Sequence, residues 1–183
     1  LEAMAAGRVS LDGISHDLPE PFFVIATQNS LDQVGTSPLP EAQLDRFLMR
    51  VSLDFPDRES EMELLRGSFS PAAAIPPLLD GKSLKQLQQQ CAAQHCSDGL
   101  INYVLDLVAA SRQGQGGLSP RASQALLAAA RAWAMLSGRD YVIVEDVQSV
   151  LPAVVEHRLD AGRPAGSETP LSTKLLEQVN ALR

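Results

Sequence analysis

Phe22-Phe23-Val24-Ile25-Ala26-Thr27-Gln28-Asn29, a loop holding Gly35, Pro38 and Pro40, and then Glu41-Ala42-Gln43-Leu44-Asp45-Arg46-Phe47-Leu48-Met49-Arg50 form the stretch on which the fold turns. Residues 22–26 are an unbroken apolar run with β-branched and aromatic side chains, too short for a free-standing helix. The lack of alternation predicts a strand covered on both faces, inside an α/β sheet. Ending such a strand in Thr27-Gln28-Asn29 puts polar amides at its carboxyl edge, where open α/β sheets bind ligands, so Asn29 points at a site. After the loop, Pro40 opens a short helix with Glu41 in its first turn, and Asp45-Arg46-Phe47 closes it. A second strand is predicted over 49–55, which leaves Arg46 on the rim.

Upstream, residues 1–7 read as the last turns of a helix stopped by a glycine C-cap at Gly7. Alternating residues on both sides of Asp12-Gly13, a pair that favours a type I′ turn, predict a projecting β-hairpin over 9–16. Downstream, Asp57 is a good N-cap, with Glu59 and Glu61 in the first turn where the helix dipole favours acids. The Pro/Ala-rich residues 68–81 read as a connector between two subdomains.

From Ser83 onward the spacing becomes helical. One stripe holds Leu84, Leu87 and Cys91, and a second holds Leu100, Ile101, Val104, Leu105 and Val108 after a Ser97-Asp98 start. Ser119-Pro120-Arg121 opens the strongest helix, with Ser119 as N-cap and Pro120 at the first helical position. Arg121 is a cation where the dipole disfavours one by roughly 0.3–1 kcal/mol, an arrangement that makes sense if an anion is bound there. A further helix follows Val144, with Pro152 expected to kink or break it. Residues 161–170 read as linker, and Ser172 is expected to cap a last helix with Leu175, Leu176, Val179 and Leu182 inward.

The composition sets bounds. The 183 residues suffice for one ordinary domain or two small ones. No apolar run approaches the roughly 20 residues needed to span a bilayer, and the amino end lacks a signal-peptide pattern, so a cytoplasmic protein is expected. Two cysteines, Cys91 and Cys96, are too few for a disulfide framework or a zinc site. His16, His95 and His157 show no metal spacing and read as surface residues, so no metal site is expected. A net charge of −7 argues against broad nucleic-acid binding, which depends on basic patches.

Ala26-Thr27-Gln28-Asn29, Gly35-Thr36 and Leu39-Pro40-Glu41-Ala42-Gln43-Leu44-Asp45-Arg46-Phe47 together resemble the signature of the MoxR family of AAA+ ATPases. The segment Gly117-Leu118-Ser119-Pro120-Arg121-Ala122 is similar to that family's sensor 2 segment. The resemblance implies that Asn29 is sensor 1, which orients the attacking water and the γ-phosphate. It implies that Arg46 is the arginine finger reaching a neighbouring subunit's nucleotide, and that Arg121 contacts nucleotide phosphates. These roles suit the side chains, since an amide hydrogen-bonds both water and phosphate while a guanidinium offers a permanent charge and a planar fork. The implied fold is α/β plus all-α: over 1–55, the C-terminal portion of an AAA+ α/β core with a β-hairpin insert, then a helical-bundle lid over 56–183. The sequence departs from the family pattern at Ser30, where proline is usual, at Ser37, where an aromatic is common, and before Glu145-Asp146, where the hydroxyl residue and proline are missing.

Neither a Gly-x-x-x-x-Gly-Lys-Ser/Thr phosphate loop nor an apolar strand ending in paired acids occurs in the sequence. In the family both lie upstream of a helix like Leu1-Glu2-Ala3-Met4, so the expectation is part of a longer ATPase. This chain alone is then expected to be inactive, with ATP and Mg2+ requiring the missing N-terminal part. The resemblance further implies a homo-oligomeric ring, hexameric in form, acting on client proteins or with a von Willebrand factor A domain partner, without nucleic acid or a membrane span. Two other readings stand beside it. One is a non-catalytic helical adaptor, and the other is a DNA-working AAA+ relative, which ranks last because it would require basic residues on the hairpin and only Arg8 is available there.

Overall fold

The structure is a computed structural model that describes residues 2–28, 39–67, 76–113, 117–159 and 169–180. Helix α1 (Glu2–Ala6) ends at Gly7, whose φ of +63° is a left-handed C-cap conformation that glycine adopts without strain. Strands β1 (Arg8–Leu11) and β2 (Ile14–Asp17) pair antiparallel, with Arg8 opposite Asp17 and Leu11 opposite Ile14. Asp12 and Gly13 join them at φ +50° and +79°, the two successive positive angles that a type I′ turn requires. Glu2 anchors the hairpin to α1 by accepting from the backbone N–H and the hydroxyl of Ser10 at 3.1 and 2.7 Å.

Neither long strand expected from the sequence is present. Residues 22–28 and 49–55 lie outside any sheet, with Ile25 76% and Leu53 95% exposed. A strand exists only through ladder bonds to a neighbour, and among the described residues the one sheet is β1 with β2, apart from an isolated bridge between His95 and Tyr141. Apolar composition alone cannot supply one. Arg50 illustrates the alternative, its N–H bonding the Ala153 carbonyl of a helix at 2.8 Å.

Capping chemistry sets most helix starts. Pro40 precedes α2 (Glu41–Leu44) without a side-chain cap. Asp57 caps α3 (Arg58–Leu65), Asp80 caps α4 (Gly81–Ala92), Ser97 caps α5 (Asp98–Ser111) and Ser119 caps α6 (Pro120–Leu136). In each the side-chain oxygen accepts from the N–H three residues on, satisfying one of the helix's orphan donors. With Asp80 as its cap, α4 begins at Gly81, two residues before the Ser83 start expected.

The core lies among α5, α6, α7 (Val144–Leu159) and α8 (Leu171–Gln178). Ala122, Ala125, Ala129, Ala130 and Ala134 are all buried on α6, and these small side chains let Val147, Leu151, Val154 and Val155 of α7 pack close. On α5 the buried face is Leu100, Tyr103, Val104, Leu107 and Val108, whereas Ile101 and Leu105 are exposed. The expected stripe was rotated because a period of 3.6 fits two overlapping faces, and contact with α6 and α8 selects the one holding Tyr103 and Leu107.

Two further expectations fail at α7 and α8. Helix α7 continues through Pro152, which faces solvent between the buried Leu151 and Val154, so tertiary packing holds the helix across the missing hydrogen bond. Ser172 does not cap α8. It is fully buried inside the first turn, behind Pro170 at the N-cap, and the α7 residue Glu156 accepts instead from the Leu171 and Ser172 N–H groups at 2.8 and 3.0 Å. Leu175 is buried and Leu176 and Val179 are partly so, while Leu182 lies outside the described residues.

Candidate functional site

The loop that delivers the α6 amino end is built around Ser111, Arg112 and Gly117. Ser111 Oγ donates to the Val108 carbonyl at 2.7 Å and accepts from the Leu118 N–H at 3.0 Å, while Arg112 donates twice to the Leu118 carbonyl. A Cβ on Gly117 would sit 2.8 Å from Arg112 Cγ and 3.2 Å from its Cα, so only glycine lets the chain pass here. Ser119 is thereby fixed. Its Oγ accepts from the Ala122 N–H at 3.1 Å and donates towards both carboxylate oxygens of Asp45, at 3.0 and 2.9 Å.

Asp45 is therefore the anion beside the α6 amino end. Arg121 Nη1 approaches the same carboxylate at 3.8 Å and remains 54% exposed. The misplaced cation read from the sequence has a protein carboxylate as its neighbour, at a separation that leaves the guanidinium largely in water. Asp45 also accepts from Arg158 Nε at 2.9 Å, and the Arg158 side chain is only 4% exposed. Arg158 goes on to donate to the backbone carbonyls of Asp45, Phe47, Leu48 and Val154.

Arg46 is partly exposed in this turn, its backbone N–H bonded to the Gln43 carbonyl at 3.2 Å. Among the described residues its guanidinium has no hydrogen-bond or ion-pair partner, because Asp45, the nearest acid in sequence, faces Ser119 and Arg158 instead. Asn29 lies outside the described residues. The structure thus brings Arg121 to within 3.8 Å of the residue that precedes Arg46. Sequence reading missed Asp45 and Arg158 because their partners lie 74 and 113 positions away, beyond any local spacing rule. One hint was available: His157-Arg158 are basic residues in the last turn of α7, where a helix favours cations.

His157 is not a surface residue. It is 3% exposed, with Nε2 3.3 Å from the Phe47 carbonyl, so the bond requires a proton on Nε2. Burial pushes its pKa below the ordinary histidine range; the neighbouring Arg158 charge and the more distant Arg50 act the same way, against the Phe47 and Ala153 carbonyls. The fold thus favours the neutral ring. Its contribution to stability should be complete above the ordinary histidine pKa of about 6.5 and be lost as pH falls through that value towards the lowered one, since the unfolded chain then binds the extra proton. Urea unfolding between pH 5 and 7 should therefore show a decline towards pH 5 that is flatter in His157→Leu. Equal slopes would refute the assignment.

Among the described residues no group of three or more His, Cys, Asp or Glu could hold a metal ion, and no helix is long and apolar enough to cross a membrane. Comparison with known proteins gives this arrangement a context. Residues 1–49 match the ATPase family associated with various cellular activities (AAA), and residues 108–179 match the AAA lid domain. The chain is 40% identical over 164 residues to the uncharacterised protein YeaC of Bacillus subtilis, covering 87% of this chain and 51% of that protein. It is 40% identical over 172 residues to chaperone MoxR1 of Mycobacterium tuberculosis, covering 87% and 45% respectively. A crystal structure of a candidate ATPase from Cytophaga hutchinsonii superposes with a TM-score of 0.83 at 30% identity, covering 98% of this chain and 60% of that one. The chain spans about half the length of the relatives it matches. Its sequence signature, its lid-domain match and its MoxR-named relatives agree, and the chain belongs to the MoxR-type AAA+ ATPases.

Proposed function

We propose that this chain is the sensor- and lid-bearing part of a MoxR-type ATPase that couples ATP binding and hydrolysis to the remodelling or maturation of client proteins. Residues 1–55 belong to the α/β core and 56–183 to the helical lid. The observation that carries the reading is the joint at Asp45, where the turn bearing Arg46 meets the α6 amino end bearing Arg121. Arg46 acts as the finger on a neighbouring subunit's nucleotide. Arg121 binds phosphate, for which its exposed guanidinium and the α6 dipole are suited. Asn29 orients the attacking water as sensor 1.

Mg2+, when bound, would neutralise charge on the phosphates, and its binding, like that of ATP, requires the N-terminal part that carries the phosphate loop and paired acids. The protein works as a hexameric ring in the cytoplasm, with a client or a von Willebrand factor A domain protein as partner. The chaperone role extends to this chain what the name of the Mycobacterium relative says of that protein.

Steady-state ATP hydrolysis tests this. The full-length protein should turn over ATP, the 183-residue chain should not, and Asn29→Ala in the full-length protein should lower turnover by roughly 10²-fold, as loss of one preorganised polar group does. Absence of both nucleotide binding and turnover in the full-length protein would leave the adaptor reading.

A further inference from the structure

We infer that Arg158 is a positioning residue for Arg46, one that makes the finger turn part of the α6–α7 body. The inference rests on the reading of Arg46 as the finger. A guanidinium has five N–H donors in a rigid fork, and here they meet Asp45 Oδ1 at 2.9 Å, the Asp45 carbonyl at 3.2 Å, the Phe47 carbonyl at 2.6 Å, the Leu48 carbonyl at 3.2 Å and the Val154 carbonyl. Four of these acceptors lie on residues 45, 47 and 48, immediately on both sides of Arg46, and the fifth is on α7 itself. Two further ties from α7 reinforce the staple: the Ala153 carbonyl accepts from Arg50 N–H at 2.8 Å, and His157 Nε2 lies 3.3 Å from the Phe47 carbonyl.

Arg46 takes no part in the staple, so its guanidinium is left partly exposed on a turn whose backbone is fixed on each side. Through Asp45 and Ser119 the same turn is tied to the α6 amino end, two residues before Arg121. A displacement of α6 and α7 on phosphate binding at Arg121 therefore carries Arg46 with it. Lysine cannot replace Arg158, because a single ammonium with three donors cannot span five acceptors set in a fork.

In the full-length protein, Arg158→Lys should lower kcat for ATP by roughly 10- to 100-fold, the scale of a small misplacement of a catalytic group, with KM within a few-fold, measured below the thermal midpoint, which the unpaired carbonyls also lower. Complementation in mixed rings separates positioning from a structural role. Asn29→Ala subunits keep an intact finger beside a weakened site, whereas Arg158→Lys subunits keep an intact site and lose the finger's placement. Co-assembled, the two should turn over ATP well above the level of either variant alone. Mixtures no more active than either variant would overturn the proposal, as would an Arg158→Lys protein with wild-type kcat in an assay where Arg46→Ala is inactive. An active Arg46→Ala protein would overturn the finger reading and this inference together.

Discussion

Arg46→Ala in the full-length protein is expected to lower ATP turnover by about 10³-fold or more, the scale of an arginine finger's contribution, with the fold unchanged. The structure gives two reasons to separate catalysis from stability here. The Arg46 guanidinium has no hydrogen-bond or ion-pair partner among the described residues, and the turn is held by Asp45, Phe47, Leu48 and Arg50 instead. Truncating Arg46 therefore leaves no buried group unpaired. Arg46→Lys should fall nearly as far as the alanine variant, since a point charge does not reproduce a planar fork on transferring phosphoryl oxygens. KM for ATP should move little, because a group acting in the transition state lowers kcat without changing ground-state binding. Turnover within a few-fold of wild type, alongside an unchanged unfolding midpoint, would remove Arg46 from the catalytic machinery.

Local chemistry was legible in the sequence, and chemistry that joins distant segments was not. Asp57, Ser97 and Ser119 cap their helices through bonds to residues three positions on, a relation any reader of the chain can test by spacing. The same rule misassigned Ser172, because the carboxylate that satisfies the start of α8 comes from Glu156, on a different helix. Residues 22–26 and 49–55 failed for another reason. Apolar runs report what a segment would gain by burial, whereas burial itself depends on neighbours, and among the described residues no strand lies beside them. At the site, Arg46 and Arg121 could be singled out by motif and by a misplaced charge. Asp45 could be read only as the end of a short helix, since its partners Ser119 and Arg158 are brought to it by the packing of α6 and α7.

The site depends on α7 keeping its register, and the anchor at its other end yields the second large effect. Asp146, 2% exposed in the first turn of α7, accepts from Arg139 through both carboxylate oxygens and from the Ile143 N–H at 2.9 Å. It replaces the missing hydroxyl cap by reaching back to the residue before the helix, the acidic half of a capping box. Asp146→Ala removes all three bonds and leaves the Arg139 guanidinium half-enclosed without its counter-ion, a change that costs about 3–5 kcal/mol for a buried pair. Arg139 keeps access to water, so the expected loss falls below that range, at roughly tenfold or more in the folding equilibrium. Asp146→Asn should cost less, because an amide oxygen still accepts from Ile143.

The pH dependence carries the same signature. The hydrogen-bonded Arg139 outweighs burial and, with the Ile143 N–H, holds the Asp146 carboxyl below the ordinary aspartate range. A group depressed in the fold contributes stability above its unfolded pKa of about 3.9 and loses it as pH falls through the folded value, because the unfolded chain takes up the proton first. Urea unfolding curves of wild type and Asp146→Ala should therefore lie far apart at pH 7 and draw together below about pH 4. A difference of less than about 1 kcal/mol at pH 7 would show that the pair only offsets its own desolvation. The start of α7, and with it the placement of Arg158 at the far end, would then rest on the packing of α7 against α6 and its other neighbours.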